Sequence, residues 1–206
     1  FVLEYDNDLI RQAILNEIKR KGQIYFVHNR ILDIEKVRQR LSRGLPEQIK
    51  IGVVHGQMPA RQIELTMMKF LNCQIDVLIS TAIIESGLDI PNVNTLIVNN
   101  ADNFGLADLH QLRGRVGRFN RPAFAYLLLS PRGALTDQAE KRLAVLGEYS
   151  ELGSGFKIAM QDLEIRGAGN LLGTQQHGFI TAVGFDLYCR LLRETVDAFR
   201  KIKNEK

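Results

Sequence analysis

Residues 75–98 read IDVLISTAIIESGLDIPNVNTLIV. Two short apolar runs, 75–80 and 94–98, enclose a polar segment in which Gly87 and Pro91 bracket a turn. Apolar runs of four to six residues without polar alternation are the mark of strands buried on both faces. Working outward, similar runs occur at 23–28 (QIYFVH), 50–54 (KIGVV) and 124–129 (FAYLLL). Between them the apolar residues return at helical spacing. Ile34, Val37 and Leu41 lie on one such face, Ile63, Met67 and Phe70 on another, and a short helix fits near 107–113. Strands alternating with helices of about ten residues predict an α/β fold with a parallel sheet flanked by helices.

The ends of the chain extend this frame. Ile10, Ala13, Ile14 and Ile18 predict a lead-in helix from about Asp6 to Arg20, with Lys19, Arg20 and Lys21 favourably placed at its C-terminal end and Gly22 stopping it. After residue 131 the strands cease. A helix is expected over about 136–149, a glycine-rich stretch over 153–178 and an amphipathic helix over about 184–202. The organisation expected is therefore 1–22, lead-in helix; 23–131, α/β domain; 132–206, helical extension.

Composition narrows the function classes. Apolar residues make up 45% and charged residues 24% of the 206, which is ordinary globular usage, and no run is long enough to span a membrane. Two cysteines cannot form a disulfide framework, so free thiols in a reducing, cytoplasmic compartment are expected. The net charge of +4 permits nucleic acid as a partner. No Gly-Lys dipeptide occurs, so the phosphate loop G-x-x-x-x-G-K-[ST] is absent, and so is the Asp-Glu pair that holds magnesium in many helicases. The chain begins with Phe1 and reads as a piece of a longer polypeptide.

In a parallel sheet, ligands gather beyond the C-terminal ends of the strands. That selects His28-Asn29-Arg30, His55-Gly56-Gln57, Thr81 to Pro91, and Asn99 to Gly105. The strongest local signal is His110-Gln111-Leu112-Arg113-Gly114-Arg115-Val116-Gly117-Arg118. No acid occurs from 109 to 136 while five arginines do. Such a block is either a solvated basic turn or an anion site, because guanidinium is a planar fork that fits phosphate oxygens. In 80–91, a strand-end hydroxyl could reach a phosphate and Asp89 a ribose; capping and a turn would explain the same residues. Each of the four histidines lacks a spaced partner for metal and reads as a neutral hydrogen-bonding group.

The order strand, STAIIESGLDIP, strand, QLRGRVGR resembles motifs V and VI of the superfamily 2 helicases, with QIYFVHNR where motif IV belongs. The resemblance covers about residues 23–130 and implies the second of two RecA-like domains. It also implies ATP with Mg in the cleft between them, bound mainly by the missing first domain. Carried over by motif, Arg115 and Arg118 would reach the ATP phosphates and Gln111 would orient the catalytic water. Gly87, Asp89 and Gly114 would position the nucleotide, and Thr81 and Arg30 would face the nucleic acid.

The stretch GSGFKIAMQDLEIRGAGNLLGTQQHG, 153–178, resembles the translocation motif of the double-stranded DNA translocases that include RecG and the transcription-repair coupling factors. That motif is a helical hairpin followed by a loop. The resemblance implies Arg142 and Arg166 on the two hairpin helices and Gln176 in the loop near DNA. For Arg166 the residues without the motif favour a structural salt bridge, for instance with Asp162 four positions before it. FVLEYDNDLIRQAIL, IVNNADNFGLADLHQLRGRVGR and VGFDLYCRLLRETVDA resemble the coupling-factor family more than RecG. There, Asn99-Asn100 stands where a more charged pair is common. In that family the full protein walks on double-stranded DNA, displaces stalled RNA polymerase and recruits excision-repair proteins through other domains. No membrane partner is expected. A RecG-type fork-reversal helicase, or a non-catalytic nucleic-acid-binding module, are the alternatives.

Overall fold

The computed structural model describes residues 1–81, 92–117, 121–130, 135–148 and 155–166. The chain divides into two compact units, Phe1–Ala159 and Met160–Lys206. In the first, six strands form one sheet: β1 (Val2–Glu4), β2 (Gln23–His28), β3 (Ile51–Val54), β4 (Val77–Ser80), β5 (Val93–Asn99) and β6 (Phe124–Leu129). Their order is β1-β6-β5-β2-β4-β3, and every adjacent pair is parallel. The α/β fold with a helix-flanked parallel sheet is therefore as expected.

The five strands read from the sequence are all present, because each is an apolar run in the middle of the sheet or beside it. All residues of β2, β4 and β5 are buried. β1 was not foreseen. Its three residues pair with Leu127, Leu128 and Leu129 at the sheet edge, and three positions, two of them exposed, are too few to show a period.

Among the described residues the helices are α1 (Asn7–Lys19), α2 (Ile31–Gly44), α3 (Ala60–Leu71), α4 (Leu106–Arg113), α5 (Asp137–Glu148) and α6 (Gly155–Arg166), with a 3-10 turn at Ala101–Asn103. α6 falls in the stretch read as glycine-rich; the helix expected over 184–202 lies outside the described residues. The Asp6 side chain caps α1 by accepting from the Asp8 backbone N–H at 2.8 Å. Ile10, Ala13 and Ile14 then face the sheet, where Ile24, Phe26, Val77, Ile79, Ile97 and Leu128 meet them with Ile34 and Leu41 of α2.

The end of α1 differs from the expected glycine stop. Lys21, not Gly22, takes the left-handed conformation, at φ 59°. Gly22 is needed for room: a Cβ there would lie 1.8 Å from Glu17 Oε1. Glu17 is only 1% exposed and cannot swing aside freely. Thr95 Oγ1 donates to its carboxylate at 2.6 Å, Asn94 Nδ2 at 3.4 Å, and Arg20 pairs with it at 3.5 Å. Gly22→Ala should therefore cost about 2–3 kcal/mol, read from urea unfolding. A change within about 0.5 kcal/mol would show that Glu17 relaxes without loss.

Candidate nucleotide and nucleic-acid site

The parallel order brings the strand-end segments to one edge of the sheet. Central in the order are β2 and β5, whose ends carry His28 and Asn99. A groove of about 280 Å³ opens there, lined by Asn29, Arg30, Asn99, Asn100, Asn103 and Phe104. Asn100 holds a left-handed φ of 54°, which turns the chain from β5 into the 3-10 turn. Its lining is one guanidinium and four amides over the buried Phe104 ring. Such a donor-rich set suits an anion or a sugar-phosphate chain.

His28 is 2% exposed beneath this groove. Its Nε2 is 2.7 Å from Asp33 Oδ1 and its Nδ1 is 3.0 Å from Asn99 Nδ2. One imidazole thus ties the end of β2 to the first turn of α2 and to the end of β5, holding Asn29 and Arg30 between them. Partial burial opposes ionisation of Asp33, but the His28 bond and the charges of His28 and Arg30 hold its carboxyl below the ordinary value.

The arginine segment is placed by α4. Leu106, Leu109 and Leu112 are buried, which leaves Gln111 exposed. The chain then turns at Gly114, whose N–H donates to His110 O at 3.1 Å. Arg115 follows, half-exposed. Its charge acts on Tyr25, which sits beside Ser80 at the end of β4. Burial pushes the Tyr25 hydroxyl up to about 12, against the opposing pull of the Ser80 hydrogen bond and of Arg115. The fold thus brings Arg115 toward the strand that leads into residues 82–91. Gly117 has φ 87°, and a Cβ on it would lie 2.6 Å from that of Ala123. A glycine is required at this turn, one residue before Arg118.

Thr81 is 4% exposed, and its N–H donates to Val54 O at 3.3 Å. Arg142 lies on α5 and its Nη2 donates to the Asp102 carbonyl at 3.0 Å. The Asp102 carboxylate in turn accepts from Ser130 N and Oγ, both at 2.8 Å. Arg166 is the last residue of α6. Gly87, Asp89, Arg118 and Gln176 lie outside the described residues.

One tie within the arginine run was not foreseen. Arg113 looked equivalent to Arg115 and Arg118 in the arginine run. Its Nη1 donates to Leu146 O at 3.0 Å, at the far end of α5, and its Nη2 meets His110 Nδ1 at 3.3 Å. Burial lowers the Arg113 guanidinium from its usual value, and burial followed by the Arg113 charge lowers His110. The neutral imidazole can then accept that bond. Its place next to Leu112, on the packed side of α4, was the available signal.

Among the described residues no cluster of histidine, cysteine and acidic side chains could hold a metal. The lining of the described groove, one guanidinium and four amides, suits an anion. No helix among these residues is long and apolar enough to cross a membrane.

The model of the helicase conserved C-terminal domain matches residues 6–120. The chain belongs to this family. As a helicase C-terminal domain it resembles the transcription-repair-coupling factor of Staphylococcus haemolyticus, 52% identical over 100% of this chain and 18% of that protein. The factor of Bacillus subtilis is 55% identical over 96% of this chain and 17% of its own length. The chain therefore spans less than a fifth of either relative. Among solved structures, RecG bound to a three-way DNA junction matches at TM-score 0.67 and 31% identity, over 91% of this chain and 25% of that one. The family resemblance read from motifs IV to VI is borne out by these matches.

Proposed function

We propose that this chain is the second motor domain of an ATP-dependent double-stranded DNA translocase, one that displaces stalled RNA polymerase and couples transcription to nucleotide excision repair. The observation that carries the reading is a pair of arginine ties. Arg113, inside the arginine motif, holds the C-terminal end of α5 at Leu146, while Arg142 of α5 holds the loop after β5 at Asp102. A shift of the arginine segment toward nucleotide thus pulls on α5 directly.

In this reading Arg115 and Arg118 face the ATP phosphates, and Gln111 orients the attacking water. Gly87, Asp89 and Gly114 position the nucleotide. ATP and magnesium are held mainly by another domain of the full protein, which acts in the cytoplasm. Bound ATP supplies the phosphoryl group, and the arginines stabilise charge as it transfers. Arg30 in the strand-end groove and Thr81 bear on the DNA backbone. Arg142, Arg166 and Gln176 serve translocation, and polymerase and repair proteins bind elsewhere.

The test is Arg113→Ala in the full-length protein. ATP turnover with duplex DNA should stay within about threefold, while displacement of stalled polymerase falls at least tenfold. Equal loss of both would mean that Arg113 supports hydrolysis itself. The RecG likeness favours a second reading, a fork-reversal helicase. Efficient fork unwinding without polymerase displacement would select it.

A further inference from the structure

Asp102 is half-buried in the 3-10 turn and stands, in sequence, between two residues that line the strand-end groove, Asn100 and Asn103. A carboxylate beside a groove suited to an anion works against binding there, so its presence needs another reason. Its two oxygens are turned to the end of β6. Ser130 donates its N–H to Oδ1 at 2.8 Å, and Ser130 Oγ lies 2.8 Å from Oδ1 and 2.7 Å from Oδ2. Asn103 Nδ2 donates to the same hydroxyl at 3.4 Å. Bonds to an ionised acceptor are the strong ones, so the carboxylate pins the turn to β6.

The backbone of the same residue meets α5. Its carbonyl accepts from Arg142 Nη2 at 3.0 Å. Arg142 and Leu146 stand four positions apart, about 6 Å along the helix axis. Leu146 O is the atom that Arg113 grips from the arginine segment. Adjacent turns of α5 are thus held from two sides, one by the 3-10 turn and one by the arginine motif. If the arginine segment moves while the 3-10 turn stays fixed, α5 must tilt about the Arg142 contact. If the turn yields as well, the loop absorbs the movement and α5 stays where it was.

We propose that Asp102 is a positioning residue: its clamp on Ser130 makes the 3-10 turn the fixed point against which the arginine segment levers α5. The inference rests on the translocase reading of α5. The clamp is separate from the parts that hold the arginine segment itself. Leu106, Leu109 and Leu112 bury α4 on their own account, so the segment keeps its place when the clamp is removed.

The test uses the full-length protein on a duplex that carries a short third strand, which a moving translocase displaces. Third strand displaced per ATP hydrolysed is the readout. Asp102→Ala should lower this ratio about 5- to 10-fold, the size of coupling a packed network carries, with ATP turnover within about threefold of the parent. Asp102→Asn keeps Oδ1 as the acceptor for both Ser130 donors and loses only the charge, so its ratio should lie within about twofold of the parent. Ser130→Ala removes the hydroxyl and keeps the N–H bond. It should lower the ratio by about two- to fivefold, and it decides the matter if Asp102→Ala does not fold.

An unchanged ratio in folded Asp102→Ala overturns the inference. So does Asp102→Asn falling as far as Asp102→Ala, which would assign the effect to charge. Turnover and displacement falling together would leave Asp102 a purely stabilising role and overturn it too. Arg142→Ala separates the inference from the reading beneath it. If that variant loses displacement while Asp102→Ala keeps it, the inference falls and the translocase reading stands. If Arg142→Ala displaces the third strand as the parent does, the translocation reading of α5 falls with it.

Discussion

Arg115→Ala in the full-length protein is expected to lower the turnover number for ATP by about 10³-fold or more, with duplex affinity changed by less than about threefold. Phosphoryl transfer spreads charge over the phosphate oxygens, and a guanidinium supplied from a facing domain stabilises that charge only when the cleft closes. Arg115 is suited to this. It is half-exposed, it follows the turn at Gly114, and no hydrogen bond or ion pair among the described residues holds its guanidinium back. The same loss is expected for Arg118→Ala. Removing a surface guanidinium of this kind should cost under about 1 kcal/mol of stability. Turnover within tenfold of the parent, in a folded variant, would remove Arg115 from the nucleotide site. Collapse of DNA binding alongside hydrolysis would instead assign it to the nucleic acid.

The second large effect is on folding. Phe26 is fully buried on β2, between β5 and β4, within the cluster that includes Ile10, Ile14, Ile34, Ile79 and Ile97. Phe26→Ala deletes the ring and leaves a cavity that a parallel sheet packed by α1 and α2 cannot close. A loss of about 3–5 kcal/mol is expected. Since domains are stable by about 5–15 kcal/mol, that is a third or more of the total at typical values. Urea unfolding should show a lower midpoint with an unchanged slope. A loss below about 1.5 kcal/mol would mean that the sheet and α1 collapse onto the gap.

Much of this molecule was readable before the structure. β2, β4 and β5 were readable because burial on both sides leaves a continuous apolar run in the sequence, and β3 and β6, only partly buried, carry shorter versions of the same signal. α1 and α2 were readable because their apolar residues repeat at helical spacing. The motif segments were readable because phosphate chemistry demands arginines, amides and glycines at fixed spacing, and such demands survive in one dimension. β1 was not readable: its reason for being a strand is the edge of β6, over a hundred residues away.

The same division holds at the site. Arg30, Gln111 and Arg115 were selected by the motifs they resemble, since spacing and residue type survive in one dimension. Four further assigned residues, Gly87, Asp89, Arg118 and Gln176, rest on their motifs, as they lie outside the described residues. Partners across the sheet are another matter. That Arg113 grips α5 at Leu146, that Gly22 makes room for a Glu17 held by Thr95 and Asn94, and that His28 joins Asp33 to Asn99 all depend on contacts between segments. His28 and Asn99 are 71 residues apart and meet only because β2 pairs with β5 in register. The sequence by itself determined which elements form and which chemistry the chain carries, because both follow from local periodicity and residue type. Only the tertiary structure decided which arginine is a strut and which is free to meet a ligand, because that depends on which carbonyl or carboxylate the folded sheet sets in front of each one.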